Sequence, residues 1–411
     1  MTRRSFLQSA AKTILTMGFG GLFAPRSAFA ADGIQHLRQI VTVHPAKTRM
    51  IQWDSLQQLE NVRVELRDST GHMDRTIPAY TYLAMDDEVQ FIYRCEIPAT
   101  ADSSYRVAHA AGATDWIPIL PIHEMDRVCV LLFSDSQCGE SYDIWHTTYQ
   151  TAWKRHPNAD CAAIVGDLTD NGESAWHWRS FFEAMETDTA LARHPHVPVL
   201  GNHEYYGLQW TAVPPVRYLK TFALPDNGSR DFRGHYYSFD IGAVHCIVLD
   251  TQFLEAEERG TALKTEQTDW LRRDAAASTA RWKLVLMHKD ILAYGDNQPE
   301  QNTNRGISDV GQVFLDIFDE LGIDLVVSGH VHAYRRRRIR ARQTDEHGTL
   351  YLLAGPAGNQ YFDVRPERYD LVAGPNPTPS NYLYMEVDAQ HLHIRCETVN
   401  GTVLDAIDLH K

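Results

Sequence analysis

A chain of 411 residues, 44% of them hydrophobic, holds enough apolar material for one large domain or two ordinary ones with buried cores. With 53 acidic against 39 basic residues its formal net charge is −14, and a body of that sign repels phosphate backbones, which argues against nucleic acid as a bulk partner. Small anionic substrates stay open, because bound cations would reverse the field locally.

The first thirty residues contain Arg3, Arg4, Lys12 and Arg26 and no acid, so removing them leaves 35 basic residues against 53 acidic ones, a charge of −18. Thr2-Arg3-Arg4-Ser5-Phe6-Leu7-Gln8, a weakly apolar run from Thr13 to Ala24 and the small-x-small site Ala28-Phe29-Ala30 together resemble a twin-arginine export signal. The competing reading is an amphipathic first helix. The uncharged run is too short to span a bilayer, and no later stretch is long enough. The expectation is a signal peptide over 1–30, a mature chain from near Ala31 and a periplasmic or secreted location. That route carries folded proteins, which suits a cofactor loaded before translocation.

Residues 33–122 are β-rich. Met50-Ile51-Gln52-Trp53, Val62-Arg63-Val64-Glu65-Leu66 and Phe91-Ile92-Tyr93-Arg94-Cys95-Glu96-Ile97 are separated by turn clusters such as Asp68-Ser69-Thr70-Gly71, which predicts a small β-sandwich without chemistry of its own. Ile117-Pro118-Ile119-Leu120-Pro121 reads as a stiff connector.

From Val128 onward strands alternate with helices, an α/β signature. Five short apolar runs, of the kind covered on both faces, end in polar clusters. Val128–Phe133 runs into Ser134-Asp135-Ser136-Gln137, and Cys161–Val165 into Gly166-Asp167-Leu168-Thr169-Asp170. Val197–Leu200 precedes Gly201-Asn202-His203-Glu204, Leu284–Met287 precedes His288, and Leu325–Val327 precedes Ser328-Gly329-His330-Val331-His332. Helices are predicted over 142–156, 175–192 and 308–321, the last with Ser308 as N-cap and Gly322 as stop. Residues 235–240 and 243–250 read as a hairpin, and 349–353, 382–387 and 391–398 as further strands. The polar segments 205–231, 294–306 and 358–380 are candidates for loops around a substrate mouth.

Carboxyl ends of neighbouring strands converge on one crevice, so Asp135, Asp167, Asn202, His288, His330 and His332 are predicted to meet there as ligands of two metal ions. Oxygen and nitrogen donors of this character suit Mn, Fe or Zn. Asp167, after a glycine, is the natural bridge, and two cations about 3.5–4 Å apart can hold a shared hydroxide and orient a phosphoryl oxygen. His203 stands beside a ligand without being one, which suits it to protonate a leaving group. Blander readings remain for each residue. The histidines could be satisfied by backbone, Asp135 and Asp167 could cap helices, Asp170 could be a turn residue and Gln137 a surface amide. Glu204 suits a supporting role, Tyr334 either stacking on a leaving group or packing, and Arg335–Arg338 an alternating strand with solvated or acid-paired guanidiniums. The six cysteines lack CxxC spacing; Cys129, Cys161 and Cys246 read as small core residues, and Cys138 as a possible thiolate donor.

Taken in order, Asp135-x-Gln137, Gly166-Asp167-x-x-Asp170, Gly201-Asn202-His203-Glu204, His288 and Gly329-His330-x-His332 resemble the five blocks of the calcineurin-like metallophosphoesterases. The front segment, with Gln52-Trp53 and Tyr105-Arg106-Val107, is similar to the N-terminal, fibronectin-like domain of purple acid phosphatases. The resemblance implies one metal on Asp135, Asp167 and His332, a second on Asp167, Asn202, His288 and His330, and His203 acting on the leaving group. Two positions depart from the pattern. Gln137 replaces a histidine, so it binds the first metal weakly or faces the substrate. Asp170 replaces the tyrosine whose phenolate colours purple acid phosphatases, so a colourless enzyme is expected; Asp170 would instead orient His203 and raise its pKa.

The expected architecture is thus an α/β metallophosphatase domain over 126–411, two packed sheets flanked by helices, behind an all-β sandwich over 33–122. The expected activity is hydrolysis of small phosphate monoesters by attack of a metal-bridging hydroxide. Alternatives are a phosphodiesterase of cyclic nucleotide or phospholipid type using the same site, or a non-catalytic metal-binding or adhesion protein. The metal pair and the oligomeric state stay open.

Overall fold

A computed structural model describes residues 33–122, 127–186, 189–294 and 306–411. The expected signal peptide and most of the 294–306 segment lie outside the described residues.

Two sheets pack face to face. The first has ten strands and the second eight. In the first, Val128–Phe133, Cys161–Val165 and Pro195–Val199 run parallel, with Asn381–Val387 antiparallel on the outer side. In the second, Val244–Leu249, Trp282–Met287, Leu325–Ser328 and Thr349–Leu353 run parallel. Because side chains alternate across a strand, each apolar run serves two cores. Val128, Val130 and Leu132 face the other sheet and meet Cys246, Leu284 and Val327. Cys129, Leu131 and Phe133 face outward onto Trp145, Tyr149 and Phe181 from the helices Asp143–Arg155 and Ala175–Glu183. On the far side Val285, Met287 and Val326 pack against Leu263, Leu271, Phe314 and Phe318 of the helices Gly260–Ala277 and Asp309–Leu321. Helix, sheet, sheet and helix form four layers.

Local expectations meet the structure unevenly. The helix from Asp309 is capped by Ser308, whose Oγ accepts from the Gly311 N–H at 3.0 Å, and stops at Gly322 in the left-handed conformation, φ +62. The predicted helix 175–192 is instead two: it ends at Glu183 and restarts as Ala190–Arg193. At the break the Glu186 carboxylate accepts from the His36 N–H at 2.7 Å, tying that turn to the front segment. A last strand, Val403–His410, had no distinct sequence signal.

The front segment does form two β layers. Ile51, Trp53, Tyr93 and Ile97 of one layer pack on Val64, Tyr105 and Val107 of the other. The first layer is also part of the ten-stranded sheet: Gln35–Ile40 pairs in parallel with Pro195–Val199, registering Gln39 with Pro195 and Ile40 with His196. Main-chain hydrogen bonds therefore cross the expected domain boundary. Buried polar side chains add to the join, with Gln39 Nε2 and the Tyr105 hydroxyl both donating to Ala192 O, at 2.9 and 2.6 Å, and Arg38 donating to Thr221 O at 2.9 Å.

The arginine run alternates as a strand, Arg335–Arg340, but two guanidiniums are interior. Arg335 and Arg337 are buried and paired with Asp370 and Asp290. Tyr334 is also buried, its hydroxyl donating to Asp405 at 2.8 Å, so it packs in the core and does not reach the site. All six cysteines are free and buried. Burial pushes the Cys138 thiol up to about 11 and its Sγ faces the Ser136 carbonyl, which makes it a poor thiolate donor.

Candidate metal centre

The polar strand ends of both sheets meet at one edge of the sandwich. Among the described residues two groups there could each hold a cation: Asp135, Asp167 and His332, and Asp167, His288 and His330, with the ligating atoms of each group within 4.8 Å of one another. Asp167 belongs to both. Its Oδ2 is 3.1 Å from His288 Nε2, while Asp135 Oδ1 is 3.5 Å from His332 Nε2. Asn202 Oδ1 lies 3.2 Å from His288 Nε2, which places the amide with the second group.

Backbone conformation makes this convergence possible. Asp135 and Asp167 have φ +50, His330 +77 and His332 +56, all in the left-handed region that non-glycine residues rarely occupy. Each costs on the order of 1–3 kcal/mol and persists only where the surroundings hold it. Glu204 is the main brace. Its buried carboxylate accepts four backbone N–H groups: Gly201 at 2.8 Å, Leu168 at 2.9 Å, Asp167 at 3.1 Å and Thr169 at 3.2 Å. Burial and the Asp167 charge push its carboxyl up to about 7, against those donors, which favour the charged form. Asp135 is fixed by the Ser134 hydroxyl at 2.7 Å and by the His330 N–H at 2.9 Å. Gly201 has to be glycine, because a Cβ there would overlap the backbone nitrogen and Oδ1 of Asp167.

Three imidazoles share one orientation. Nδ1 of His288 bonds Val165 O at 3.0 Å, Nδ1 of His332 bonds Gln360 O at 2.6 Å, and Nδ1 of His203 bonds Asp170 O at 2.6 Å. With Nδ1 donating to a carbonyl, the neutral ring presents a lone pair on Nε2, the arrangement that such carbonyl acceptors impose on metal-binding histidines. The charge balance agrees. Among the described residues the ion pairs of Asp135, Asp167 and Asp170 involve only histidines, so no lysine or arginine compensates these acids. Burial would raise the Asp167 carboxyl, yet His288 and His203 hold it far below the usual carboxylate range; burial would lower His288, yet Asp167 lifts it to about 9. Buried carboxylates facing Nε2 atoms and an amide oxygen fit hard or borderline cations.

The remaining predicted residues take more specific places. His203 lies beside Asp167, its N–H donating to Oδ1 at 2.9 Å and its Nε2 standing 3.8 Å from Oδ2. Burial lowers its pKa but the Asp167 and Asp170 charges prevail and raise it. Asp170 orients the ring through its main-chain carbonyl; its carboxylate, 3.7 Å from Nδ1, is engaged by the Gln360 amide at 2.6 Å. Gln137 is fully buried, not a surface amide. One orientation sets its amide nitrogen 3.2 Å from His332 Nε2. The reverse orientation lets the nitrogen donate to the carbonyls of Asp135 and Asp167, at 3.2 and 3.1 Å, and turns the oxygen toward His332. The second gives both amide hydrogens a carbonyl acceptor and offers the oxygen to the first cation position.

Gln360 and Ser134 were not singled out from sequence. Ser134 adjoined a marked aspartate, but nothing local in 358–380 distinguishes Gln360, which touches His332 and Asp170 only after the chain has folded.

Known proteins resemble this chain in sequence and in fold. The family model described as calcineurin-like phosphoesterase matches residues 129–334. Purple acid phosphatase 22 of Arabidopsis thaliana is 27% identical over 233 residues, 53% of this chain and 49% of that protein. The Mycobacterium tuberculosis protein Rv2577 is 32% identical over 189 residues, 42% of this chain and 34% of that protein. The chain thus spans about half or less of the length of these relatives. In structure, a purple acid phosphatase from yellow lupin (Lupinus luteus) seeds superposes with a TM-score of 0.73 at 15% identity, covering 92% of this chain and 74% of that one, a likeness of fold.

Proposed function

Since the chain belongs to the calcineurin-like phosphoesterase family, we propose that it is a purple acid phosphatase-like enzyme that hydrolyses phosphate monoesters with two bound metal ions. The observation that carries this reading is the pair of ligand clusters sharing Asp167, with His203 alongside.

Asp135, Asp167 and His332 would hold one ion, with the Gln137 oxygen as a weak addition, and Asp167, Asn202, His288 and His330 the other. When bound, the ions supply Lewis-acid charge and lower the pKa of the attacking water. The chain's own groups do the rest. Glu204 keeps the Asp167 and Asn202 loops in register, and Asn202 orients a phosphoryl oxygen. The Asp170 carbonyl holds His203 so that its Nε2 faces the ester. With burial outweighed by the Asp167 and Asp170 charges, which raise its pKa, His203 carries a proton on each ring nitrogen. As the water oxygen bonds to phosphorus, releasing its proton to solvent, and the ester P–O bond breaks, the His203 Nε2 proton passes to the leaving oxygen. Monoesters are favoured over diesters by the likeness to acid phosphatases across the front domain.

The test is direct. Loaded with Mn(II) or Zn(II), the protein should cleave p-nitrophenyl phosphate faster than bis(p-nitrophenyl) phosphate, and the opposite ratio would make it a diesterase. Fewer than two metals per chain and no esterase activity would leave a metal-binding protein instead. With Asp170 in place of a tyrosine, the Fe(III)-loaded protein should show no phenolate band in the visible. Export by the twin-arginine route is part of the same proposal, supported by the paired arginines and the Ala28-Phe29-Ala30 site. An N-terminus near Ala31 on protein recovered outside the cytoplasm would support it, and an intact Met1 there would not.

A further inference from the structure

The phosphatase reading leaves unused an exposed tryptophan next to the leaving-group histidine. Trp210 is 46% exposed, so it contributes little to any core. It nevertheless sits in the left-handed region at φ +57, an unfavourable conformation for so bulky a residue. The turn beneath it is firmly tied. Gly207 N–H donates to Thr211 O at 3.0 Å and Trp210 N–H to Gly207 O at 2.8 Å. Asn171 Nδ2 donates to the same Gly207 carbonyl at 2.8 Å, and the Glu173 carboxylate accepts the Leu208 N–H at 3.0 Å. Strain, exposure and a fixed turn together hold an aromatic face in one place in water, an arrangement that folding alone does not require.

That place is beside the chemistry. The Trp210 ring stands 6.1 Å from the His203 ring, edge to face, and 6.1 Å from Tyr206, which is itself 5.4 Å from His203. On another side of the site Phe362, 43% exposed, lies 4.5 Å from His332. Fixed positive charge for an anionic leaving group is missing from the ion pairs described above, and the ammonium of Lys289, next to His288, is taken by Glu255 at 2.7 and 2.8 Å. Among the described residues, the exposed side chains placed here beside the site are aromatic.

We propose that Trp210 stacks on a planar aromatic ring carried by the leaving group, so that the preferred substrates are monoesters of ring-bearing alcohols. This rests on the phosphatase reading above.

The test uses pairs of substrates with matched leaving oxygens and the metal-loaded full chain. Benzyl phosphate is compared with cyclohexylmethyl phosphate, and adenosine 5′-monophosphate with ribose 5-phosphate. Stacking predicts that kcat/KM favours the aromatic member of at least one pair by about tenfold. The benzyl pair reports a ring next to the ester and the nucleotide pair a ring one sugar away. In Trp210→Gly that ratio should fall toward one, whereas Trp210→Phe should keep most of it. Glycine accepts φ +57 without strain, so this variant should stay folded. A ratio near one in the wild type for both pairs, or a ratio unmoved in Trp210→Gly, overturns the subsite while leaving phosphatase activity intact. Failure to cleave any of the four esters or p-nitrophenyl phosphate overturns both readings.

Discussion

Replacing Glu204 by glutamine tests the brace on which the centre depends. The carboxylate serves four backbone donors across two loops. Glutamine has one acceptor oxygen, so at most two of the four N–H groups keep a partner, and the others face an amide NH2. Hydrogen bonds to a charged group contribute roughly 1.5–3 kcal/mol each, so losing two costs roughly 3–6 kcal/mol. Removing a buried charge that Asp167 repels returns roughly 1–2 kcal/mol. The net expectation for Glu204→Gln is a destabilisation of about 1–5 kcal/mol, read from urea unfolding of the metal-free protein by circular dichroism. Since the same carboxylate fixes the Asp167 backbone in its left-handed conformation, zinc affinity should also fall by about 10- to 100-fold. A stability change below about 0.5 kcal/mol with unaltered zinc affinity would refute the reasoning, because the four donors would then have found other partners at no cost.

Gly201→Ala should be at least as damaging to the centre, since the added Cβ overlaps Asp167; metal content per chain is the readout, and wild-type stoichiometry would count against the tight approach. His245 lies between Asp240 and Asp274, at 2.8 and 2.9 Å, and although burial lowers its pKa these acids raise it from 6.5 to about 9. The raised folded-state value means that its stabilisation is complete below about pH 6.5 and is lost as pH climbs toward 9. With Asp240 53% exposed, roughly 1–2 kcal/mol of the effect should survive solvent screening. Urea midpoints should therefore decline over that window, and His245→Gln should flatten the decline. Arg337→Met should cost about 3–5 kcal/mol in the same unfolding assay, because it strands the buried Asp290 carboxylate, and Arg337→Met with Asp290→Asn should recover part of the loss.

Much of the centre could be read from the chain alone. Strands such as Val128–Phe133 and Cys161–Val165 are apolar at every position because both faces are covered, and that pattern marks where each run stops and polar chemistry begins. The same local logic located the Ser308 cap and the Gly322 stop. Alternation suggested an arginine strand but could not tell that Arg335 and Arg337 would turn inward, since their partners Asp370 and Asp290 lie far off in sequence.

What the amino-acid order determined by itself was therefore the list of candidate ligands and the strand ends that carry them, because both rest on short-range pattern. Tertiary structure alone decided that the front sandwich shares a sheet with the body and that Glu204 ties two loops. It also decided that Gln360 joins His332 to Asp170, and that Trp210 is held beside His203. These depend on contacts between residues remote in the chain and on left-handed backbone conformations at aspartate, histidine and tryptophan. Glycine announces such a conformation, as Gly322 does, but aspartate, histidine and tryptophan do not; there the surrounding hydrogen bonds impose it.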